Sequence, residues 1–224
     1  MRDHLGNELL SKTQAFARGI YLLEDCEGTF HWDITATGLD YTCDFNSIAA
    51  CFGTYGLRMI TRTTTPTAND YVKVKRHFGI PPAGLLVVRT KVTSPDWAHV
   101  QDVILRLDDE DGATSQSGIF RFTPATPACT YFDDTGGYTT LPGMDLVFSN
   151  GTWLNFAMAI DCIEKEYIWC EIAGVHVDLP GIPLYLWGAA TTSEIGFSLT
   201  VMSNGTDQAT LYADAISATE YEEL

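Results

Sequence analysis

The sequence predicts an all-β protein, built as a sandwich or a barrel of antiparallel strands. Apolar and polar residues alternate with a period of two over most of the chain. Turn dipeptides such as Asn150-Gly151, Asn204-Gly205 and Asp111-Gly112 separate the alternating segments. Together they delimit roughly ten to thirteen short strands, with no long helical pattern after residue 18. Many short strands at this spacing are typical of sandwiches and barrels.

The chain begins with a segment of different character. Residues 1–18 carry a weak, short helical stripe, and we expect an N-terminal arm or peripheral helix there. Residues 19–224 are expected to form the sandwich. In chain order, the alternating segments are residues 71–78, 85–93, 103–112, 118–122, 154–162, 167–172, 175–179, 184–188, 195–203 and 211–220.

The clearest strand pair lies between residues 154 and 172. Leu154, Phe156 and Met158 fall on one face, opposite Trp153 and the other intervening residues. A charged turn at residues 164–166 follows, and residues 168–172 alternate again. This pattern predicts a hairpin that buries one face of each strand.

Net charge limits the partners of this chain. The 224 residues carry a net charge of -16, with a sequence pI near 4.4, so nucleic acid is not an expected partner. The charge is segregated, because residues 56–121 hold nine basic against seven acidic side chains. This basic band consists of Arg58, Arg62, Lys73, Lys75, Arg76, Arg89, Lys91, Arg106 and Arg121. It predicts either solvated outer strand faces or a surface that meets the acidic part of a second copy.

Membrane insertion and secretion signals are not expected. No run of about 18 apolar residues exists, and the first residues lack the apolar core and cleavage site of a signal peptide. The sequence therefore predicts neither a membrane partner nor a transmembrane segment.

Six cysteines allow two readings. They form no C-x-x-C motif and no zinc-like spacing. Cys43 and Cys51 are eight residues apart, as are Cys162 and Cys170, so hairpin geometry would allow two disulfides. The alternative is free thiols packed as small hydrophobic residues.

Several motifs resemble a known family of sandwiches. "LLEDCEG", "GTYGLRM", "WLNFAMAID", "YIWCEIAGVHVDL" and "LYADAISATE" occur in this order. In these motifs and their order, the chain resembles the jelly-roll β-sandwiches of carbohydrate-binding modules and of concanavalin A-like lectins and glucanases. The resemblance covers most of residues 20–220 and implies two antiparallel sheets in a jelly roll.

The resemblance also implies candidate sites. Several such modules hold a structural calcium ion between an acidic residue near the first strand and an aspartate of the last, which here implies Glu24 or Asp25 together with Asp214. Calcium requires six to eight oxygen ligands, and the alternative is that Asp214 is a solvated strand residue. No other cofactor is expected. Sugar binding would use exposed aromatic rings, and Trp153 and Trp169 are the candidates because they lie opposite the aliphatic face.

Catalysis is not expected. The glucanase branch of the resemblance requires closely spaced carboxylates along one strand, of the E-x-D-x-x-E or E-x-D-x-E type. The nearest segment, "CIEKEY", places Glu164 and Glu166 in a turn and lacks a third acid. The sequence therefore predicts a protein that is not an enzyme.

Two functional classes remain, with a third behind them. The first is a structural or decorating component of a larger assembly, most readily the surface of a virion such as a phage capsid or appendage, with other copies and capsid-like proteins as partners. The second is a glycan-binding or adhesion module. The third is a glycoside hydrolase or lyase. The first two place the protein in a virion or another extracellular setting.

Overall fold

The computed structural model describes residues 20–79, 84–144 and 146–221, and these residues form strands almost throughout. The arm predicted for residues 1–18 lies outside the described residues. Sixteen strands are present in the described part: β1 Ile20–Glu24, β2 Asp33–Ala36, β3 Thr42–Asn46, β4 Gly56–Ile60, β5 Ala68–Phe78, β6 Leu85–Thr93, β7 Val100–Asp111, β8 Thr114–Thr123, β9 Ala128–Phe132, β10 Tyr138–Thr140, β11 Leu154–Asp161, β12 Glu166–Ile172, β13 Val175–Pro183, β14 Tyr185–Ala189, β15 Ser193–Asn204 and β16 Thr210–Tyr221.

The strands form two antiparallel sheets. Sheet 1 has the order β13-β12-β11-β6-β16-β4-β3, with β1 also paired to β16. Sheet 2 has the order β10-β9-β8-β7-β15-β5-β2, with β14 also paired to β8. Neither sheet closes on itself, so the predicted two-sheet sandwich is confirmed and the barrel alternative is not.

The core lies between the two sheets. The predicted aliphatic face of β11 is confirmed, since Leu154, Phe156 and Met158 are buried in it. In sheet 2, Leu105 of β7 and Leu199 of β15 lie directly opposite each other and are fully buried. Because neighbours along a strand point to opposite faces, the residues between these positions form the outer faces of the sandwich.

The predicted hairpin of β11 and β12 is also confirmed. The strands pair antiparallel from Phe156 opposite Ile172 to Asp161 opposite Glu166. Sixteen strands exceed the predicted number because several edge strands are three to five residues long, among them β2, β3 and β10. Alternation over so few residues is too short to recognise in a sequence.

The helices of the described residues are two 3-10 turns, at Ser47–Ala49 and Trp97–His99. Among the residues described, no helix is long and apolar enough to cross a membrane.

Candidate functional site

The outer face of sheet 2 carries four basic side chains in two adjacent rows. Strand register places Lys75, Ser198 and Arg106 side by side across β5, β15 and β7. In the next row, Lys73 of β5 and Arg121 of β8 lie on either side of Thr200 and Ile104. We call Lys73, Lys75, Arg106 and Arg121 the cationic rows. All four belong to the basic band of the sequence.

A buried carboxylate holds two of these cations in place. Asp108 is 3% exposed, although it lies on the outer face. Its Oδ2 lies 3.1 Å from Lys75 Nζ, its Oδ1 accepts a hydrogen bond from Arg106 Nε, and the Ser117 hydroxyl donates to Oδ1 at 2.6 Å. Burial raises the pKa of Asp108, but the charges of Arg106 and Lys75 and the Ser117 hydrogen bond outweigh burial and leave it below its ordinary value. Asp108 is therefore ionised at neutral pH.

A second carboxylate lies beside the other row. Asp102 Oδ1 accepts a hydrogen bond from the Thr123 hydroxyl, and Arg121 Nε lies 3.9 Å from the same oxygen. Arg121 also donates to the Thr130 hydroxyl at 3.1 Å. The guanidinium is thus held on the outer face from two sides.

A glycine shapes the path of Lys75 across the sheet. A Cβ at Gly196 would lie 2.9 Å from Lys75 Cε and 3.4 Å from Asp108 Cβ. The lysine side chain therefore passes over the bare backbone of Gly196 to reach the carboxylate. Any side chain at this position would displace it.

A buried hydroxyl in the upper row has no internal partner. Ser198 is 1% exposed, and its Oγ makes no hydrogen bond with any described residue. Register places it between Lys75 and Arg106. Buried hydroxyls are usually paired, so this one marks a place with unused hydrogen-bonding capacity.

Four aromatic rings border the cationic rows. Phe132 is the centre of the group, with ring centroids 4.8 Å from Tyr138, 4.9 Å from Tyr185 and 6.1 Å from Trp187, which is stacked parallel to it. Tyr185 and Trp187 also meet, at 4.7 Å. We call Phe132, Tyr138, Tyr185 and Trp187 the aromatic platform.

The platform is partly exposed and touches the cations directly. Trp187 is 48% exposed and Tyr138 is 39% exposed. The Arg106 guanidinium carbon lies 4.6 Å from the Trp187 ring centre, and that of Arg121 lies 3.5 Å from the Tyr138 ring centre. Both pairs are cation–π contacts. They join the platform and the cationic rows into one surface.

Local structure explains why the platform forms here. β9 pairs with one half of β8 and β14 with the other half, so both strands border the same edge. A register shift between Leu186 and Gly188 places Trp187 in a β-bulge. The β9–β10 turn is fixed by Asp133, which accepts hydrogen bonds from residues 135, 137 and 139. These hydrogen bonds, from Thr135 first, lower the pKa of Asp133 to about 2.

The two predicted tryptophans lie elsewhere. Trp169 is on the outer face of sheet 1, opposite Ala159, and is only 6% exposed because Val87, Ala157 and Ala159 pack around it. Trp153 is half-buried and precedes the opposite end of β11. Trp169 lies opposite Ala159, six residues along the chain from Trp153, and at about 3.3 Å per residue this is roughly 20 Å of strand. The structure therefore does not bring them together, and their role in binding stays a prediction.

The carboxylates predicted to bind calcium lie around Cys26. Glu24, Asp25 and Asp214 all act electrostatically on this thiol and, after burial, raise its pKa. Glu24 accepts hydrogen bonds from the Cys26 amide and Arg76, and Asp25 from the Glu27 amide.

Asp214 is fully buried and is not the solvated strand residue of the alternative reading. It accepts hydrogen bonds from the backbone amides of Cys51, Phe52 and Ala215. Amide donors thus occupy oxygens that a calcium ion would need. Among the described residues, no group of three or more His, Cys, Asp or Glu side chains is arranged to hold a metal ion. Calcium binding stays a prediction.

The structure contains no disulfide between Cys43 and Cys51 or between Cys162 and Cys170. Cys170 lies opposite Met158 and is fully buried, and Cys162 is also buried. Burial is the first cause of the raised pKa of both thiols. They contribute to the core as the hydrophobic alternative described.

Sequence reasoning did not single out the aromatic platform. Tyr185 and Trp187 alternate with Leu184 and Leu186, so residues 184–188 are apolar on both faces. In the structure Leu184 is buried, whereas Leu186 and Trp187 are both about half exposed. That double-sided pattern was the available signal for an aromatic surface.

Comparison with known proteins supports the fold. No family model matches the sequence, and no curated protein matches it. Among solved structures, the chain is similar to a sialidase (TM-score 0.55, 12% identity), to the cellulose induced protein Cip1 (0.55, 13%) and to the alginate lyase vAL-1 from Chlorella virus (0.52, 7%). The matches cover 92%, 89% and 85% of this chain.

The matched share of the other proteins differs widely. The chain corresponds to 97% of Cip1 and 93% of the lyase, but to 19% of the sialidase. Carbohydrate-binding modules are among the further structures that it matches. At these identities the likeness concerns the fold, and it confirms the jelly-roll sandwich that the sequence motifs implied.

Proposed function

We propose that the chain binds glycans on the outer face of sheet 2, with Trp187 as the main stacking residue. The observation that carries this proposal is the exposed aromatic platform in contact with Arg106 and Arg121. Sugar rings present apolar C–H faces and polar edges, so they suit a site that combines exposed aromatic rings with fixed hydrogen-bond donors. Cip1 and the alginate lyase are similar to this chain in fold, and their names refer to the carbohydrates cellulose and alginate. Both names agree with the proposal.

A tryptophan variant tests the proposal. The purified chain is screened on an oligosaccharide array, and the best ligand is then titrated by calorimetry. Trp187→Ala should weaken binding by about 2 kcal/mol, roughly 30-fold, as expected for a central aromatic anchor. Leu186→Ala is the matched control, because Leu186 is adjacent and similarly exposed but occupies a different register position. Equal affinity in both variants, or no ligand on the array, would overturn the proposal.

We further propose that binding is not followed by cleavage. A glycosidase needs a carboxylic acid whose pKa is raised enough to donate a proton. On the outer face of sheet 2, the pKa of Asp108 is lowered instead, and its oxygens are engaged by Lys75, Arg106 and Ser117. Incubation with the bound glycan should produce neither new reducing ends nor unsaturated products. Either product would establish the hydrolase or lyase alternative.

The assembly role suggested by the sequence rests on charge segregation and on the missing catalytic patterns. Within the basic band, Arg58 and Arg62 form ion pairs with Asp44 and Asp40 of the same chain. Light scattering at low and high salt tests this role directly. A stable or salt-sensitive trimer or larger form would favour assembly through complementary charge, and a single-chain mass at every salt concentration would exclude charge as the driving force.

A further inference from the structure

The cationic rows are unusual in a chain of this composition. The whole sequence has a net charge of -16, whereas the two rows hold four cations. The buried carboxylates beside them are Asp102 and Asp108, which leaves an excess of two positive charges at the centre of the face. An acidic protein that concentrates cations on one face attracts anions to that face.

The remaining carboxylates of this face lie towards its margins. Asp33 is exposed on the edge strand β2, opposite Lys75. Glu194 is paired with His77 at 2.8 Å, and Glu110 accepts a hydrogen bond from Thr192. The centre of the face therefore stays cationic.

Lys73 is the cation with no direct counter-ion. It forms no ion pair with any described residue, whereas Lys75 is paired with Asp108. Burial lowers the pKa of Lys73, the charge of Arg106 lowers it further, and the charge of Asp108 raises it in part. A bound anion would stabilise the charged form of Lys73 against both burial and the neighbouring cations.

Ser198 adds an unused donor beside these cations. Its hydroxyl is buried between Lys75 and Arg106 and has no partner among the described residues. Strands lie about 4.8 Å apart, so Lys75, Ser198 and Arg106 span roughly 10 Å across the sheet. A small anionic group above Ser198 would have cations on both sides, and it would reach the hydroxyl once the side chains that cover Ser198 move aside.

From these observations we infer that the ligand is an acidic glycan, whose carboxylate or sulfate group binds over Ser198 between Lys73, Lys75 and Arg106. The inference rests on the proposed glycan-binding function and specifies the charge of the sugar. Trp187 stacks against Arg106, so a ring bound on the platform has its substituents next to the cationic rows. Sugar stacking and anion recognition then belong to one site.

The test compares an acidic polysaccharide with its own neutral form. Oligogalacturonate, its carboxyl-reduced counterpart and a sulfated galactan are titrated by calorimetry against the wild-type chain. We expect the acidic forms to bind at least tenfold more tightly than the reduced form, with an affinity that falls as salt rises. The form that binds more tightly, uronate or sulfate ester, identifies the anion.

Charge-removing variants locate the anion site. Lys73→Met should lower the affinity for the acidic form about tenfold and leave that for the reduced form unchanged. Lys91→Met is the matched control, because Lys91 lies on sheet 1 beside Asn155 and Phe52. Ser198→Ala should also weaken binding of the acidic form. Circular dichroism of each variant verifies that it is folded.

The outcomes separate this inference from the proposed function. Equal binding of the acidic and reduced forms, abolished by Trp187→Ala, would retain glycan binding and overturn the acidic preference. If the acidic form binds tightly but Lys91→Met weakens its binding as much as Lys73→Met does, the proposed location of the anion site is wrong. Absence of binding to all three polysaccharides and to the wider array would overturn both.

Discussion

Removal of one hydroxyl group should reveal how the sandwich supports its outer face. Tyr167 of β12 extends from sheet 1 through the core to sheet 2 and is fully buried. Its hydroxyl accepts a hydrogen bond from the Ile119 amide at 2.7 Å and donates to the Phe132 carbonyl at 2.8 Å. Phe132 is the centre of the aromatic platform. Tyr167→Phe keeps the ring but leaves the buried Ile119 amide and the half-buried Phe132 carbonyl without this partner.

The magnitude follows from these two groups. Leaving the buried Ile119 amide unpaired costs about 1–3 kcal/mol, and losing the hydrogen bond to the half-buried Phe132 carbonyl costs about 1 kcal/mol, so Tyr167→Phe should lower the free energy of unfolding by roughly 2–4 kcal/mol. For a chain of this size the midpoint of thermal unfolding should fall by roughly 4–16 °C. Urea denaturation followed by tryptophan fluorescence measures the change as a lower midpoint at constant slope.

The neighbouring tyrosine provides the control. Tyr131 packs against Tyr167 edge to face at 5.6 Å, and its hydroxyl forms no hydrogen bond with a described residue. Tyr131→Phe should change the free energy of unfolding by less than about 0.5 kcal/mol. If the two variants are equally stable, the hydroxyl of Tyr167 does not connect the sheets as described.

Two further predictions concern stability. Asp108 and Asp109 are adjacent, yet the pKa of Asp108 is lowered on folding while burial, opposed by Lys165, raises that of Asp109. Ionised Asp108 therefore stabilises the fold above pH 3.8 and this contribution is lost as the pH falls, whereas the contribution of Asp109 is present at low pH and lost as the pH rises. Urea denaturation across this pH range measures both effects. The stability of Asp108→Asn relative to wild type should fall as the pH rises, and that of Asp109→Asn should increase. Parallel pH profiles of the two variants would contradict these pKa directions. The second prediction concerns Gly56, where a Cβ would overlap the Ala49 carbonyl oxygen. Gly56→Ala should therefore destabilise the fold by at least about 1–3 kcal/mol. Gly28 has open space around it, so Gly28→Ala should be tolerated and is the control.

The sequence predicts the fold well where strands are long and bury one face. Alternation over residues 154–162 defines β11 and its buried face, because every second residue contributes to the core. The edge strand β10 has three residues, of which Tyr138 and Thr140 are exposed, so burial imposes no pattern on it. Its position depends on the Asp133 turn and on pairing with β9.

The site could be predicted only in part, because it is assembled across the sheet. The basic band was visible as a local excess of charge, but the neighbours of Lys75 and Arg106 were not. β15, from the C-terminal part of the chain, lies between β5 and β7 and contributes Ser198 and Gly196 to the same face. Such non-local pairing leaves no short-range signal in the sequence. The exposure of Trp187 likewise depends on where β9 ends beside β14.

The ion pairs within the cationic rows determine how each cation would act on a ligand. Asp108 fixes Lys75 and Arg106 before any ligand arrives, which reduces the side-chain entropy lost on binding. The same carboxylate competes with an acidic ligand for both cations and repels its charge. Lys73 forms no ion pair with Asp108, although the charge of Asp108 still acts on it, and Lys73 is already partly desolvated. Of the two lysines, Lys73 should therefore contribute more electrostatic affinity, and Lys75 should serve mainly to keep the cationic rows in position.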